Sequence, residues 1–237
     1  MINETQFYVF WDAENISYTN VDQIFSEILK YGIISGKRAY ADWSNKAYKN
    51  WKPILDKYGI RPYQQFHYDQ DETDKAIIMD IMEVVYSNTN INGICIIAND
   101  HIYGSIARRV RERGLYALGL GNENAHNKFV DACNSFININ ILETERIEKP
   151  KKDTVVDVEG KDEIIKIFKK AIKEIDEDII NLATLGNMLK KQNPAFDPRS
   201  YGFKKLIDLA KSLDKYIIVK TDEKKPPTHY IEVIKET

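Results

Sequence analysis

Short β-rich runs alternate with segments of helical apolar spacing through the first 146 residues. Five such runs occur, and they read QFYVFWD, SGKRAYADW, IRPYQQFHY, GICIIAND and LYALGLG. The helical segments that follow them are expected at residues 21–31, 47–58, 73–86, 103–113 and 127–134. Strand–helix units in this order form a parallel sheet with helices on both faces. The fourth run has no polar alternation, which is typical of a central strand buried on both sides. The pattern therefore predicts a doubly wound α/β domain.

Helical spacing returns in the last third of the chain. Three apolar stripes are visible there: Ile164, Ile165, Phe168, Ala171, Ile172 and Ile175; then Leu182, Leu185, Met188 and Leu189; then Phe203, Leu206, Ile207, Ala210 and Leu213. The runs YIIVKTDE and THYIEVI, joined by a KKPP turn, indicate a hairpin after the third helix. Three helices followed by a hairpin predict a winged-helix domain.

A charged, aperiodic stretch separates the two patterns. It reads IEKPKKDTVVDVEGKDE, with Pro and Gly among its residues. We therefore assign residues 1–146 to the α/β domain, 147–157 to a linker and 158–237 to the winged-helix domain.

Charge and cysteine content narrow the class of protein. The 237 residues carry 34 Lys and Arg against 36 Asp and Glu, but through Glu148 the counts are 15 and 20, which leaves 19 and 16 for the remainder. An acidic front and a mildly basic back support two modules without a strong signature of nucleic-acid binding. Cys95 and Cys133 form no CxxC pair, and no apolar run reaches membrane-spanning length. A soluble, cytoplasmic protein with no membrane partner is expected.

Three acidic residues lie at positions where parallel sheets usually form their ligand sites. Asp12 ends the first β-rich run, Asp100 ends the fourth, and Asp74 opens the third helix. Ligand sites of such sheets lie beyond the carboxyl ends of the strands, where the strand order reverses. Three carboxylates meeting there would repel one another unless a cation lay among them, and hard oxygen ligands select Mg²⁺ or Mn²⁺. The alternative is that Asp12 and Asp100 cap the helices that follow them.

Several motifs together resemble the NYN domain of the PIN-like nuclease superfamily: FWDAENIS, RPYQQFHY, TDKAIIMDIMEVVYS, RVRERGLYALGLG and FVDACNSFI. The resemblance spans roughly residues 5–145. It implies a Rossmann-like, metal-dependent ribonuclease fold, with Asp12, Asp74 and Asp100 at the acidic positions and Asn15 as the Asn of the first motif. Asp80 matches a recurrent acid of the family's helix, but it lies about a third of a turn from Asp74. A second-shell or structural role for Asp80 is therefore expected.

The chemistry that the resemblance implies is hydrolysis of RNA phosphodiesters. Asp12 and Asp100 would bind the ion, and Asp74 would bind it or orient a water. Asn15 would donate a hydrogen bond to phosphate or to a bound water, or else serve only as a cap or turn residue.

This sequence departs from the family at the end of the fourth strand. The family places two acids there as D-x-D, and the second position is Ile102 in this chain. The loss of one acid would weaken a second metal position. His101 either supplies a neutral ligand instead or is a surface turn residue. Two nearby loops, YDQDETD and GNENAHN, are also acidic, which disfavours phosphate binding. We therefore expect a weakened ribonuclease, with a non-catalytic RNA-binding or protein-docking adaptor as the alternative.

The last 80 residues resemble a second family. The stretches LGNMLKKQNPAF and DPRSYGFKKL are similar to the LOTUS or OST-type helix-turn-helix domain, which implies binding of RNA or docking of a protein partner. The alternative role of each basic candidate is that of a solvent-exposed residue on a helix, and the alternative role of Tyr201 is packing in the core. The candidate RNA-binding residues are Arg108, Arg109, Arg199, Tyr201, Lys204 and Lys205.

Overall fold

A computed structural model describes residues 4–66, 72–87, 90–144, 158–175, 177, 179–222 and 226–234. The chain divides into two compact units, Met1–Ile147 and Glu148–Thr237. The predicted linker, residues 147–157, lies outside the described residues.

The first unit is built on a six-stranded, all-parallel sheet with the strand order β3-β2-β1-β4-β5-β6. The strands are β1 Gln6–Asp12, β2 Ile33–Ala41, β3 Arg61–Gln64, β4 Gly93–Ile97, β5 Tyr116–Gly121 and β6 Ser135–Asn138. The order reverses between β1 and β4, so the predicted doubly wound sheet is confirmed. The sixth strand was not predicted, because its four residues form an edge that pairs with β5 alone.

Helices connect these strands. They are α1 Val21–Leu29, α2 Lys52–Tyr58, α3 Glu72–Tyr86, α4 Tyr103–Glu112, α5 Asn127–Val130 and α6 Asn140–Thr144, with a 3₁₀ helix at Lys46–Trp51. The fifth helix is shorter than expected. Within the described residues, no helix combines the length and the hydropathy that crossing a bilayer requires.

Apolar burial fixes the sheet between its helices. All five residues of β4 are buried, as the uninterrupted apolar run predicted. On one face, Trp11 of β1 and Ile24 and Ile28 of α1 belong to a single core cluster. Residues of α3 that face inward, Ile77 and Ile81, are also fully buried. The sheet is therefore covered on both sides.

A charged and aromatic network joins β2 to α3. The Arg38 guanidinium lies 4.9 Å from the Tyr8 ring centre and 5.0 Å from that of Tyr63. Its Nη1 donates to Asp80 Oδ2 at 3.1 Å, and the Tyr40 hydroxyl donates to the same oxygen at 2.6 Å. Asp80 therefore holds α3 against the sheet, which is the structural role that its helical position allowed.

The second unit contains three helices and a three-stranded antiparallel sheet of order β7-β9-β8. Its elements are α7 Val158–Ile175, β7 Ile179–Asn181, α8 Leu182–Gln192, α9 Leu206–Lys211, β8 Ile217–Thr221 and β9 His229–Val233, with a 3₁₀ helix at Pro198–Tyr201. A second core cluster, which includes Phe168, Leu185 and Leu209, lies among them. The predicted helices and hairpin are confirmed, while part of the predicted KKPP turn lies outside the described residues.

The third helix begins later than the sequence predicted. Gly202 ends the 3₁₀ helix with a φ of 80°, and Lys205 is extended at the N-cap of α9. Since a left-handed residue and an extended residue interrupt the apolar stripe and the helix ends at Lys211, only Leu206, Ile207 and Ala210 of the stripe are helical.

We predict that Asp80→Ala lowers the free energy of unfolding by roughly 2–3 kcal/mol, because it removes a charged acceptor from Arg38, whose side chain is only 12% exposed. Glu83→Ala is the matched control. Glu83 approaches the same guanidinium at 3.7 Å from a side chain that is 70% exposed, so its loss should cost less than about 1 kcal/mol. Urea denaturation measures both changes, and equal losses would contradict the role of Asp80.

Candidate functional site

Asp12 lies at the carboxyl edge of the sheet, at the end of β1 and next to the strand switch. Its side chain is buried, with 1% of the residue exposed. Oδ1 accepts hydrogen bonds from the backbone amides of Glu14 and Asn15, both at 3.2 Å. The carboxylate therefore stabilises the turn after β1 and still presents Oδ2 to the site, but it does not cap α1, which begins only at Val21 after the N-cap Asn20.

Tyr103 joins Asp12 to Asp74. Its hydroxyl lies 2.5 Å from Asp74 Oδ1 and 3.0 Å from Asp12 Oδ2. Asp74 is in the first turn of α3 and is also buried. Two of the three predicted acids thus converge, on a hydroxyl group that the sequence analysis did not identify as part of the site.

Burial dominates the electrostatics of this pair. The pKa of Asp12 is raised from 3.8 to about 6, because desolvation by burial and the nearby charge of Asp74 outweigh the hydrogen bonds from Asn15 and Tyr103, which lower it. Burial also holds the pKa of Tyr103 well above its usual value. The phenol thus keeps its single proton and donates it to one carboxylate at a time.

Asn15 supports Asp12 from the solvent side. Its Nδ2 donates to Asp12 Oδ2, and the residue itself is exposed. Asp12 therefore accepts two backbone and two side-chain hydrogen bonds, which occupy the roughly four lone-pair positions of a carboxylate. Any cation at Asp12 would have to displace at least one of these donors.

Asp100 has a different environment. β4 ends at Ile97, so Asp100 lies in the loop that follows and not at the strand end that the sequence predicted. Its carboxylate is 43% exposed, accepts from the Ile102 amide at 3.0 Å and lies 2.6 Å from His101 Nδ1. Asp100 therefore shapes the turn that leads into α4, but it is not the helix cap of the alternative, because the N-cap of α4 is Ile102.

The predicted acids have the right chemistry to bind a divalent cation, but the structure does not bring all three carboxylates together. Asp12 and Asp74 supply the hard oxygen ligands that Mg²⁺ and Mn²⁺ prefer. However, no three His, Cys, Asp or Glu side chains of the described residues are placed to hold a metal together. A third ligand would require Asp100 to turn away from the Ile102 amide.

The remaining candidates of the first unit lie outside this pair. Ile102 is half-buried just before α4. Arg108 and Arg109 are exposed on α4, and Arg109 pairs with Glu112 at 3.2 Å. Asp80 bonds to residues of β2, as described above. These placements agree with the solvated-face alternative for the two arginines.

The four candidates of the second unit divide into two kinds. Arg199 forms a two-pronged ion pair with Asp197, through Nη2 at 2.7 Å and Nε at 3.1 Å. Burial alone would raise the pKa of Asp197, but the bonds from Arg199 outweigh it and lower that pKa. Tyr201 is half-buried, with its ring centre 6.0 Å from that of Phe196. Only Lys204 and Lys205 are exposed.

We predict that, in the metal-free protein, the contribution of Asp12 to the free energy of unfolding falls as pH rises from about 4 to about 6. The folded-state pKa of Asp12 lies above the unfolded value, so its stabilising proton is fully present below pH 4 and is lost as pH passes through about 6. The shift corresponds to roughly 3 kcal/mol.

Denaturation of wild type and Asp12→Asn across this range measures the effect, and the mutant should lack that part of the slope. Asp131→Asn, at an exposed position, should keep the wild-type slope. Identical slopes in wild type and Asp12→Asn would contradict the raised pKa.

Two solved structures that are similar to this chain are distant likenesses. A protein of unknown function from Vibrio parahaemolyticus is 15% identical, with a TM-score of 0.48, and the match covers 59% of this chain and 95% of that one. A putative dehydrogenase from Bordetella bronchiseptica is 10% identical, with a TM-score of 0.29, over 54% of this chain and 29% of that one. No curated protein matches the chain.

Two protein families match the sequence. The NYN domain matches residues 6–142, which contain the six-stranded sheet and the Asp12–Asp74 pair. The OST-HTH/LOTUS domain matches residues 159–228, which contain the three helices, except for the first residue of α7, together with β7 and β8 of the antiparallel sheet. The chain therefore belongs to the NYN family, within the PIN-like nuclease superfamily, and carries an OST-HTH/LOTUS domain after its NYN domain.

Proposed function

We propose that this protein is a divalent-metal-dependent ribonuclease, whose NYN domain hydrolyses RNA phosphodiesters and whose OST-HTH/LOTUS domain binds RNA. The observation that carries the proposal is the buried pair of Asp12 and Asp74 at the strand switch of the sheet. Burying two carboxylates lowers the stability of the fold. Acids in such an environment are common at functional sites, of which an ion-binding site is one kind.

Each residue of the site has a distinct part in this proposal. Asp12 and Asp74 would hold Mg²⁺ or Mn²⁺, with Asp100 reaching in from the rim. When bound, such an ion polarises the phosphodiester and lowers the pKa of an attacking water. Asn15 keeps Asp12 oriented through its amide. The Tyr103 hydroxyl, which lies between the two acids, holds them at a fixed separation.

Binding of RNA would rest on the second unit, because the loops YDQDETD and GNENAHN near the site are acidic in sequence. Lys204 and Lys205 are exposed at the start of α9, where their ammonium groups can meet phosphates. Arg199 and Tyr201 would act indirectly, by keeping the 3₁₀ helix before α9 in place.

A specific observation favours a second function, that of a non-catalytic RNA-binding adaptor. The Asp100 carboxylate bonds to the start of α4, and Ile102 supplies no ligand. A site that holds only two acids would bind the ion weakly. RNA retention without turnover is the signature of this adaptor.

We predict that Asp12→Asn and Asp74→Asn each reduce Mn²⁺- or Mg²⁺-dependent cleavage of RNA by a factor of roughly 100 or more, since metal stabilisation of the transition state is worth several kcal/mol. Both changes should also remove any rise in melting temperature caused by Mn²⁺. The assay uses mixed single-stranded and hairpin RNAs, with Asp131→Asn as control.

Asp100→Asn separates the two functions. If Asp100 binds the metal, the Asp100→Asn protein should lose cleavage. If Asp100 only stabilises the turn, the protein should tolerate Asn, because an Asn side chain also accepts a hydrogen bond from a backbone amide. Wild-type protein that binds the RNAs and cleaves none of them with either ion would leave the adaptor as the function.

We predict that Ile102→Asp folds, binds Mn²⁺ about tenfold more tightly and cleaves RNA faster than wild type. Ile102 is half-buried at the N-terminal end of α4, where a carboxylate is favourable to the helix dipole. Ile102→Asn, which has the same shape without the charge, is the control. A folded Ile102→Asp protein with unchanged Mn²⁺ affinity would show that the missing acid does not limit the site.

A further inference from the structure

An apolar groove of about 380 Å³ lies on the second unit, beside α7 and the end of β9. Its floor is closed by core residues, among them Phe168 and Leu213, which are 2% and 3% exposed. At its rim, the adjacent Val233 and Ile234 are 36% and 38% exposed. Within the described residues of the second unit, the groove thus presents an apolar interior at the surface.

The long side of the groove follows α7. Ile165, Phe168 and Ile172 line it at the spacing i, i+3 and i+7. Seven residues of helix extend about 10 Å, or two turns. This length and periodicity suit the apolar face of one partner helix, which presents its own side chains at i, i+4 and i+7.

Two lysines supply the charge among the described residues that line the groove. Lys169 and Lys173 line the groove one turn apart on α7, and no Asp or Glu is among its lining residues. The Lys169 ammonium is 5.0 Å from the Tyr216 ring centre, so a cation–π contact holds it at the edge. Two cations in register along an apolar groove complement two acids one turn apart on a facing helix.

The groove is poorly suited to RNA. Single-stranded RNA requires several cations that follow the phosphates and exposed rings that stack on bases. The lining offers two lysines and one rim aromatic, Tyr216, around an apolar interior whose other ring, Phe168, is buried. Lys204 and Lys205, the exposed cations proposed to meet RNA, are not among its lining residues.

We propose that this groove docks an acidic amphipathic helix of a partner protein. The apolar face of that helix fills the space between α7 and the end of β9, and two acidic residues at i and i+4 meet Lys169 and Lys173. The surface is additional to the proposed RNA contacts of the same domain, so the protein can hold RNA and a protein partner at different places.

The test is a selection from a displayed library of helical 15-residue peptides, with the full chain as bait. We expect enriched peptides to carry apolar residues at i, i+4 and i+7. Beside this apolar stripe we expect two acidic residues that are four positions apart. By fluorescence anisotropy, the double variant Lys169→Glu/Lys173→Glu should bind them at least tenfold more weakly. The matched control is Lys166→Glu/Lys170→Glu, at exposed positions of α7 outside the groove, which should bind as wild type does.

Several outcomes would overturn the proposal. They are a selection without enrichment, enriched peptides that bind the groove variant and the control variant equally, and loss of RNA affinity in the groove variant alone. RNA cleavage by the groove variant is measured in parallel and should equal that of wild type. Failure of the docking proposal is thereby separated from failure of the proposed ribonuclease.

Discussion

Two buried carboxylates held apart by one phenol hydroxyl set the character of the NYN domain. Asp12 comes from β1, Asp74 from α3 and Tyr103 from α4, so one small polar contact joins three elements at the point where the strand order reverses. The negative charge is confined there by the apolar burial of β1 and β4 around it. Repulsion between the acids is therefore part of the folded state, and any ion that relieves it binds in competition with Tyr103.

The sequence predicted the architecture because burial leaves periodic traces. The uninterrupted apolar run of β4 and the 3.6-residue stripes of the second unit both survive in the structure. Position relative to those elements was also sufficient to place Asp12 and Asp74 together. A hydrogen bond between side chains that are far apart in the chain produces no such periodic pattern. Tyr103 is 91 residues from Asp12 along the chain, and its apolar ring indicated only packing.

Local competition explains the other differences. Asp100 satisfies the nearby Ile102 amide, and Arg199 satisfies Asp197 two residues away. Short-range hydrogen bonds of this kind are available to Asp wherever a turn or helix begins, and a motif does not record whether the side chain has taken one. The placement of Asp100 as a ligand and the RNA contacts of Arg199 and Tyr201 therefore stay predictions, while Lys204 and Lys205 remain exposed.

The helix α3 has one further consequence for the site. It carries Asp74 at its start and Asp80 six residues later, roughly 9 Å along the axis. The Arg38–Tyr40–Asp80 network fixes both the rotation and the height of that helix above the sheet. The contacts of Asp80 with β2 therefore determine where the Asp74 carboxylate lies relative to Asp12. Substitutions on β2, at residues that touch neither acid, would alter the spacing between the two carboxylates and with it the size of the cation that the proposed site could hold.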